Sequence, residues 1–251
     1  YIPDDMTPSE SPRAQGLRSQ MLKDGTRDAG VSQRAILEAA TAEFSARGLE
    51  GARVDQIASA AGINKQLLYR YFGSKDDLYL RVLEDIYFRF RGEERELGLA
   101  TMAPDDAIRT FIGSMVERLH KEHHFARLVI DENFHEARHL KHSARVRDLH
   151  AELLATMEHI LKRGHKAGIF RKGIDALQLF TSIASLSTFY VTNMHTLSAL
   201  FGERFDRLHH TPTITAHIQD MVLGFLSQDP TAFRNTRSAA RPKVRTRAAK
   251  A

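Results

Sequence analysis

The 251-residue chain contains no cysteine. That excludes disulfides, Cys-ligated zinc, iron–sulfur clusters and thiol catalysis, and it fits a reducing compartment such as the cytoplasm. The first 30 residues hold no apolar run long enough for a secretory signal. Translation is expected to begin before Tyr1, or at Met6 or Met21. No segment reads as a membrane span. The nearest approach is 176–201, where 26 residues carry no formal charge, but eleven of them are Gln, Ser, Thr, Asn or His. A bilayer helix has no use for so many hydroxyls and amides, so a helix covered by protein on several sides is expected. Also missing are convincing β-alternation, an internal repeat, a Gly-rich phosphate loop, a G-x-S-x-G elbow and an obvious Ser/His/Asp set. With 42% hydrophobic and 27% charged residues, the chain is neither globally disordered nor collagenous.

The net charge of +5 is unevenly spread. Residues 1–31 carry four cations against five acids, and residues 229–251 carry seven cations against Asp229 alone, which leaves 32–228 balanced. Most of the basic excess therefore sits in a tail rich in Arg, Ala, Pro and Thr. Both ends are expected to be flexible, a polar arm over 1–31 and a disordered basic tail over 229–251. A basic composition of this origin is weak support for nucleic-acid binding by itself.

Between the ends, nearly everything has helical periodicity. The first helix is expected over about 32–47, with Ile36, Ala40 and Phe44 on one face and Gly48 as its stop. Two short helices follow over about 54–60 and 65–72, the second capped by Asn64. Ser74 and Asp77 form a capping box for a fourth helix. After Pro104, helices are expected over about 104–120, 125–139, 145–167, 175–201 and 214–227.

Residues 54–73 carry the strongest signal. Two short helices are joined by Ala61-Gly62-Ile63, with Gly62 where the turn needs positive φ. Ala58 is small where the helices would cross, and Ile57, Ile63, Leu68 and Phe72 close a shared core. This is helix-turn-helix patterning, in which the second helix enters the major groove. With Leu68 and Phe72 inward, the opposite face presents Lys65, Gln66, Tyr69 and Arg70. A Gln amide pairs with adenine, Arg and Lys with guanine or phosphate, and Tyr with phosphate or a thymine methyl. Leu67, at the edge of that face, can meet a thymine methyl. Lys75, in the first turn of the fourth helix, stands where backbone N–H groups also favour phosphate. The blander reading is a helical hairpin that merely packs, and the cationic and tyrosine-bearing outer face argues against it.

Over about 33–83 the sequence resembles the TetR-type transcriptional regulators. The likeness rests on Ala39, Phe44 and Gly48, then Val54-Asp55-Gln56-Ile57-Ala58, Ala61-Gly62-Ile63-Asn64-Lys65, Leu68-Tyr69-Arg70-Tyr71-Phe72 and Ser74-Lys75-Asp76-Asp77-Leu78. Gly51–Ala58 and Leu67–Tyr69 look most like the branch that holds the pyrimidine-catabolism regulator. The resemblance implies an all-α homodimer: a three-helix DNA-binding domain over 32–78 and a helical bundle over 79–228 that dimerises and binds a small-molecule effector. It also implies operator contacts, mostly to phosphates, from residues matching Arg53, Lys65, Tyr69, Arg70, Tyr71 and Lys75. The candidate DNA-contacting set is therefore Arg53, Asn64, Lys65, Gln66, Leu67, Tyr69, Arg70, Tyr71 and Lys75. Two departures matter. The family usually has Thr or Ser where Ala52 and Arg53 stand, so the cap of the second helix is weakened. Leu67 replaces a usually small or polar residue.

One motif points elsewhere. His135-Glu136-Ala137-Arg138-His139 matches H-E-x-x-H, which on a helix sets two imidazoles on one face with a Glu as general base, the arrangement of a zinc metalloenzyme. All thirteen histidines lie beyond residue 119, which inflates chance matches, and Leu140, Lys141 and His142 do not continue the metalloprotease pattern. A solvated helix face is the plainer expectation, with no catalytic residue, metal or cofactor, and with His135 and His139 replaceable without loss of stability. In the hydroxyl-rich segment, Ser185, Thr188 and Thr192 follow helical spacing and are candidates to line an effector cavity, unless they bond their own helix backbone. The expected function is that of a ligand-responsive repressor binding a palindromic operator in double-stranded DNA. A purely architectural DNA-binding protein would instead have a closed effector domain without a cavity.

Overall fold

The computed structural model describes residues 33–208 and 210–228. The arm and the basic tail expected at the two ends lie outside the described residues. The described residues divide into two compact units, with the boundary between Val82 and Leu83. Among the described residues the structure is helical throughout, with one isolated bridge between Phe170 and Ser227.

In the first unit, helix α1 (33–51) buries Ile36, Ala40 and Phe44 completely, a stripe at i, i+4 and i+8. The helical pattern does not stop at Gly48. Gly48 takes φ +68, and one further turn closes by a bond from the Ala52 N–H to the Gly48 carbonyl at 3.2 Å. Helix α2 (Val54–Ala60) starts at Arg53, which supplies no side-chain cap. The Arg53 N–H is itself held from α1, where Glu43 Oε1 accepts it at 3.1 Å. Helix α3 (Lys65–Phe72) is capped by Asn64, whose Oδ1 accepts from the Leu67 N–H at 2.8 Å. Helix α4 (Lys75–Glu96) opens on the expected capping box. The Asp77 N–H donates to Ser74 Oγ at 3.0 Å, and the Ser74 hydroxyl donates to Asp77 Oδ2 at 2.6 Å. Tyr79, fully buried, meets the Phe44 ring edge-on at 5.0 Å and ties the start of α4 to α1.

The second unit holds the rest of α4 and helices α5 (Pro104–Lys121), α6 (His123–Phe134), α7 (Ala144–Lys166), α8 (Ala176–Thr192), α9 (Met194–Phe201), α10 (Glu203–Leu208) and α11 (Thr211–Leu226). Helix α5 is its centre. It buries Ala107, Ile108, Phe111, Ile112, Met115, Val116 and Leu119, and packs on α7, α8 and α11. Gln219 on α11 donates to the Arg109 carbonyl of α5 at 3.0 Å. The α7–α8 connection folds back on the end of α11. The Arg171 N–H reaches the Leu226 carbonyl at 2.8 Å, and the Gln228 N–H reaches the Ile169 carbonyl at 3.2 Å. Fully buried Phe170 occupies the space that a side chain on Gly164 would take.

Two expected helices are revised. The one expected over about 175–201 breaks at Asn193, whose backbone and side-chain N–H groups both donate to the Phe189 carbonyl at 3.1 Å. The amide competes with the helical ladder and ends α8, and α9 begins at Met194. The helix expected over about 125–139 ends at Phe134. Buried Glu132 draws the following chain back, accepting the N–H groups of His139 at 2.8 Å and Leu140 at 2.9 Å. To reach it, Glu136 and Ala137 take φ of +56 and +55.

Candidate nucleic-acid interface and effector site

Helix α3 splits cleanly. Leu68 is fully buried and Phe72 half-buried, whereas Lys65, Gln66, Tyr69 and Arg70 are exposed on the outer face. Gly62, at φ +67, makes the turn that sets α3 against α2. Arg53 and Asn64 are also exposed, and Leu67, Tyr71 and Lys75 are half-buried at the edges of the same surface. Two cations are held by neighbours. Lys65 Nζ pairs with Asp55 Oδ1 at 2.9 Å across the α2–α3 turn, and the hydrogen bond and charge of Asp55 raise its pKa. Lys75 Nζ donates to the Glu50 carbonyl at 3.3 Å, which links the first turn of α4 to the end of α1. Neither partner is visible as a motif. Asp55 lies ten residues before Lys65, and Glu50 twenty-five before Lys75.

The candidate effector residues do not converge. Ser185 lines two clefts open to solvent, one of about 600 Å³ among α8, α9, α10 and α11 and one of about 760 Å³ among the 171–175 turn, α8 and α11. Thr188 is half-buried and lines neither. Thr192 is exposed, and its hydroxyl donates to the Thr188 carbonyl at 3.0 Å, so it bonds its own helix.

The H-E-x-x-H segment is not a helix. With Glu136 and Ala137 in left-handed conformation, His135 and His139 do not share a helical face. His135 Nδ1 lies 2.8 Å from the Asp131 carbonyl. His139 is buried with Nδ1 2.8 Å from Glu132 Oε2, which makes it part of the turn's framework and not a replaceable surface group. Among the described residues no three His, Asp or Glu side chains are grouped to hold a metal.

Sequence reasoning missed a charged cluster inside the second unit. Glu94 accepts from Arg91 Nη1 at 2.8 and 2.7 Å and from Arg118 Nη2 at 2.6 Å. The side chains of Arg91, Glu94 and Arg118 are only 6, 4 and 6% exposed. Aromatic rings surround it. The Arg91 guanidinium lies 5.1 Å from the Phe180 ring and that of Arg118 lies 4.6 Å from Phe90, which stacks on Phe125 at 4.2 Å. Burial lowers the pKa of neighbouring His150, and the Arg91 charge adds to that; burial likewise raises the pKa of Tyr87. An i, i+3 Arg/Glu pair was visible, but it lies in a charged run, Arg89–Glu96, that gives no sign of which side chains are buried.

Residues 36–82 match the family model of bacterial regulatory proteins of the tetR family, and residues 104–222 match that of the tetracyclin repressor-like C-terminal domain. The HTH-type transcriptional repressor NicS of Pseudomonas putida is 35% identical over 190 residues, covering 76% of this chain and 86% of NicS. The HTH-type transcriptional regulator RutR of Escherichia coli is 47% identical over 64 residues, 25% of this chain and 30% of RutR. The likeness to its branch is thus concentrated in one segment. The crystal structure of the transcriptional regulator FadR from Bacillus subtilis in complex with stearoyl-CoA has the same fold, with a TM-score of 0.57 at 17% identity over 77% of this chain and 98% of FadR. The matched helix-turn-helix, the matched C-terminal bundle and the length of the NicS alignment together place this chain in the TetR family of bacterial helix-turn-helix regulators.

Proposed function

We propose that the chain is a cytoplasmic, ligand-responsive transcriptional repressor that binds a palindromic operator as a homodimer. The observation that carries the reading is the outer face of α3, where Lys65, Gln66, Tyr69 and Arg70 stand exposed opposite buried Leu68. Gln66 and Arg70 suit base edges, Arg53, Tyr71 and Lys75 suit phosphates, and Asn64 and Leu67 lie at the entry of the helix. One recognition helix reads only a few base pairs. Two on a two-fold axis read half-sites about 34–36 Å apart, and this is the physical motive for a dimer.

The surface for a second copy is read from exposed apolar side chains. Leu177, Phe189, Leu200, Phe201, Met221 and Phe225 are each between 48 and 69% exposed, on α8, α9 and α11. Monomers rarely leave such large groups in water on neighbouring elements. No helix among the described residues is long and apolar enough to cross a membrane, so a bilayer is not the proposed cover.

NicS is named a repressor, and the FadR structure holds stearoyl-CoA. By analogy this chain releases DNA when a small molecule binds its second unit. The ligand acts through a difference in affinity between the DNA-competent and released states, typically ~1–3 kcal/mol of coupling. A zinc-enzyme role is set aside because the H-E-x-x-H segment lacks the helical face the chemistry requires. The test is retention of genomic DNA fragments by purified protein. A recurring inverted-repeat sequence, lost when Gln66 and Arg70 are both replaced by alanine, is expected. Retention without any shared sequence contradicts the reading.

A further inference from the structure

Resting on the repressor reading above, we propose that Asp55 is a specificity-determining residue of the DNA site: it holds the Lys65 ammonium off the phosphates and at the N-terminal end of α3, where Lys65 reads a guanine. The cations of the candidate surface, Arg53, Lys65, Arg70 and Lys75, are not equivalent. Lys65 Nζ lies 2.9 Å from Asp55 Oδ1. Lys75 Nζ is held by an uncharged group, the Glu50 carbonyl. The guanidiniums of Arg53 and Arg70 pair with no carboxylate among the described residues. Lys65 alone of the set is therefore neutralised before DNA arrives. The pair does little for the fold, because its side chains are 48 and 60% exposed and exposed ion pairs contribute little to stability. Asp55 also stands in the first turn of α2, where a carboxylate suits the helix dipole. A dipole role needs only the charge, whereas the role proposed needs Lys65.

An ammonium has three N–H donors, and Asp55 Oδ1 takes one of them. Two remain, and guanine offers two acceptors in the major groove, O6 and N7. Lys65 is the first residue of α3, and the N-terminal residues of a recognition helix are those that meet base edges. A lysine on a flexible four-carbon stem otherwise settles on a phosphate, which is the same in every sequence. Asp55 works against that outcome in two ways. Its own charge is repelled by phosphate, and the ammonium paired with it is no longer a net cation. The neutralised lysine gives up the release of counter-ions, which is blind to sequence, and keeps the direction of its hydrogen bonds, which is not. Adenine carries an N–H donor where guanine carries O6, so it leaves one Lys65 N–H without a partner. Asp55 touches no base in this account. It is a positioning residue that acts through Lys65.

The test selects sites from random DNA with the full chain and with Asp55→Asn, Asp55→Glu and Lys65→Met, and then measures binding to the selected site and to random duplex over a range of salt. In Asp55→Asn the released Lys65 should become a phosphate contact. Affinity for random duplex then rises, and its log–log salt slope steepens by about 0.9 per chain. Discrimination at one guanine of each half-site should fall about fivefold or more, at the same position where Lys65→Met loses it. Asp55→Glu, which keeps the charge, should retain both the guanine preference and the slope. Asp55→Ser serves in place of Asp55→Asn if that variant melts early. An Asp55→Asn protein with the wild-type base profile or the wild-type slope overturns the inference. So does a profile that changes only where Lys65→Met leaves it unchanged, or a guanine preference lost as fully in Asp55→Glu as in Asp55→Asn. A wild-type protein that selects no shared sequence fails the repressor reading and takes the inference with it. A wild-type site whose profile Asp55→Asn leaves intact fails the inference alone.

Discussion

Replacing Glu94 by Gln keeps the size of the side chain and removes the one negative charge between Arg91 and Arg118. In the native protein each guanidinium donates to that carboxylate at 2.6–2.8 Å, and both are about nine-tenths buried or more. The amide of a Gln offers one acceptor oxygen and two N–H groups that point the wrong polarity at an arginine. Two like charges then face each other in a poorly hydrated interior. Breaking a buried ion pair by removing one partner costs ~3–5 kcal/mol. For a unit of this size, where 1 kcal/mol moves the midpoint by roughly 2–4 °C, the expected drop in Tm is roughly 6–20 °C. Removing all three charges at once, with Arg91→Met, Glu94→Leu and Arg118→Met, should be far milder, because replacing a buried ionic cluster by apolar groups of similar volume is often neutral or stabilising by ~1–4 kcal/mol. Thermal melts followed by circular dichroism at 222 nm measure both. A Glu94→Gln protein melting within 2 °C of wild type would mean that Glu94 is not what holds the two guanidiniums in the interior, and the reasoning fails.

Further outcomes are expected at other sites. Gly164→Ala sets a methyl 2.0–2.7 Å from ring carbons of buried Phe170; overpacking of this kind costs ~1–3 kcal/mol or more, and a urea midpoint unchanged from wild type counts against the contact. His139→Ala, by leaving Glu132 without its imidazole partner, should destabilise by ~1–3 kcal/mol, while His135→Ala changes the melt little; equal effects would contradict the division. Tyr71→Ala and Lys75→Ala should weaken binding to all operator sequences alike, whereas Gln66→Ala should shift base preference by about 1–3 kcal/mol at one position. A selection from random DNA that returns one base profile for wild type and Gln66→Ala refutes that assignment.

The helix-turn-helix was legible because its determinants are local. Asn64 and Ser74 cap within three residues, Gly62 needs only its own φ, and Leu68 is set apart from Lys65, Gln66 and Tyr69 by helical period alone. What was not legible depends on groups far apart in the chain. Arg118 reaches Glu94 across 24 residues, and no spacing rule announces such a contact between two helices. The end of α6 was misplaced because Glu132 reaches the backbone seven and eight residues on; periodicity carries no record of a carboxylate that folds the chain back. The same turn dismantled the H-E-x-x-H motif, whose meaning rests on a helix that is not there. The hydroxyls of α8 share a sequence pattern but divide in space. Ser185 lines open clefts, while Thr192 bonds its own backbone.

The central claim is that two copies of α3 read one two-fold symmetric DNA site. The direct measurement is a footprint on a DNA fragment selected by the protein, combined with the mass of the complex in solution. The account predicts two protected half-sites related by inversion, centred one helical turn or a small multiple of it apart, with chains bound in even number and protection lost in the Gln66→Ala, Arg70→Ala double variant. A single protected half-site held by one chain, or protection unchanged in that variant, would contradict it.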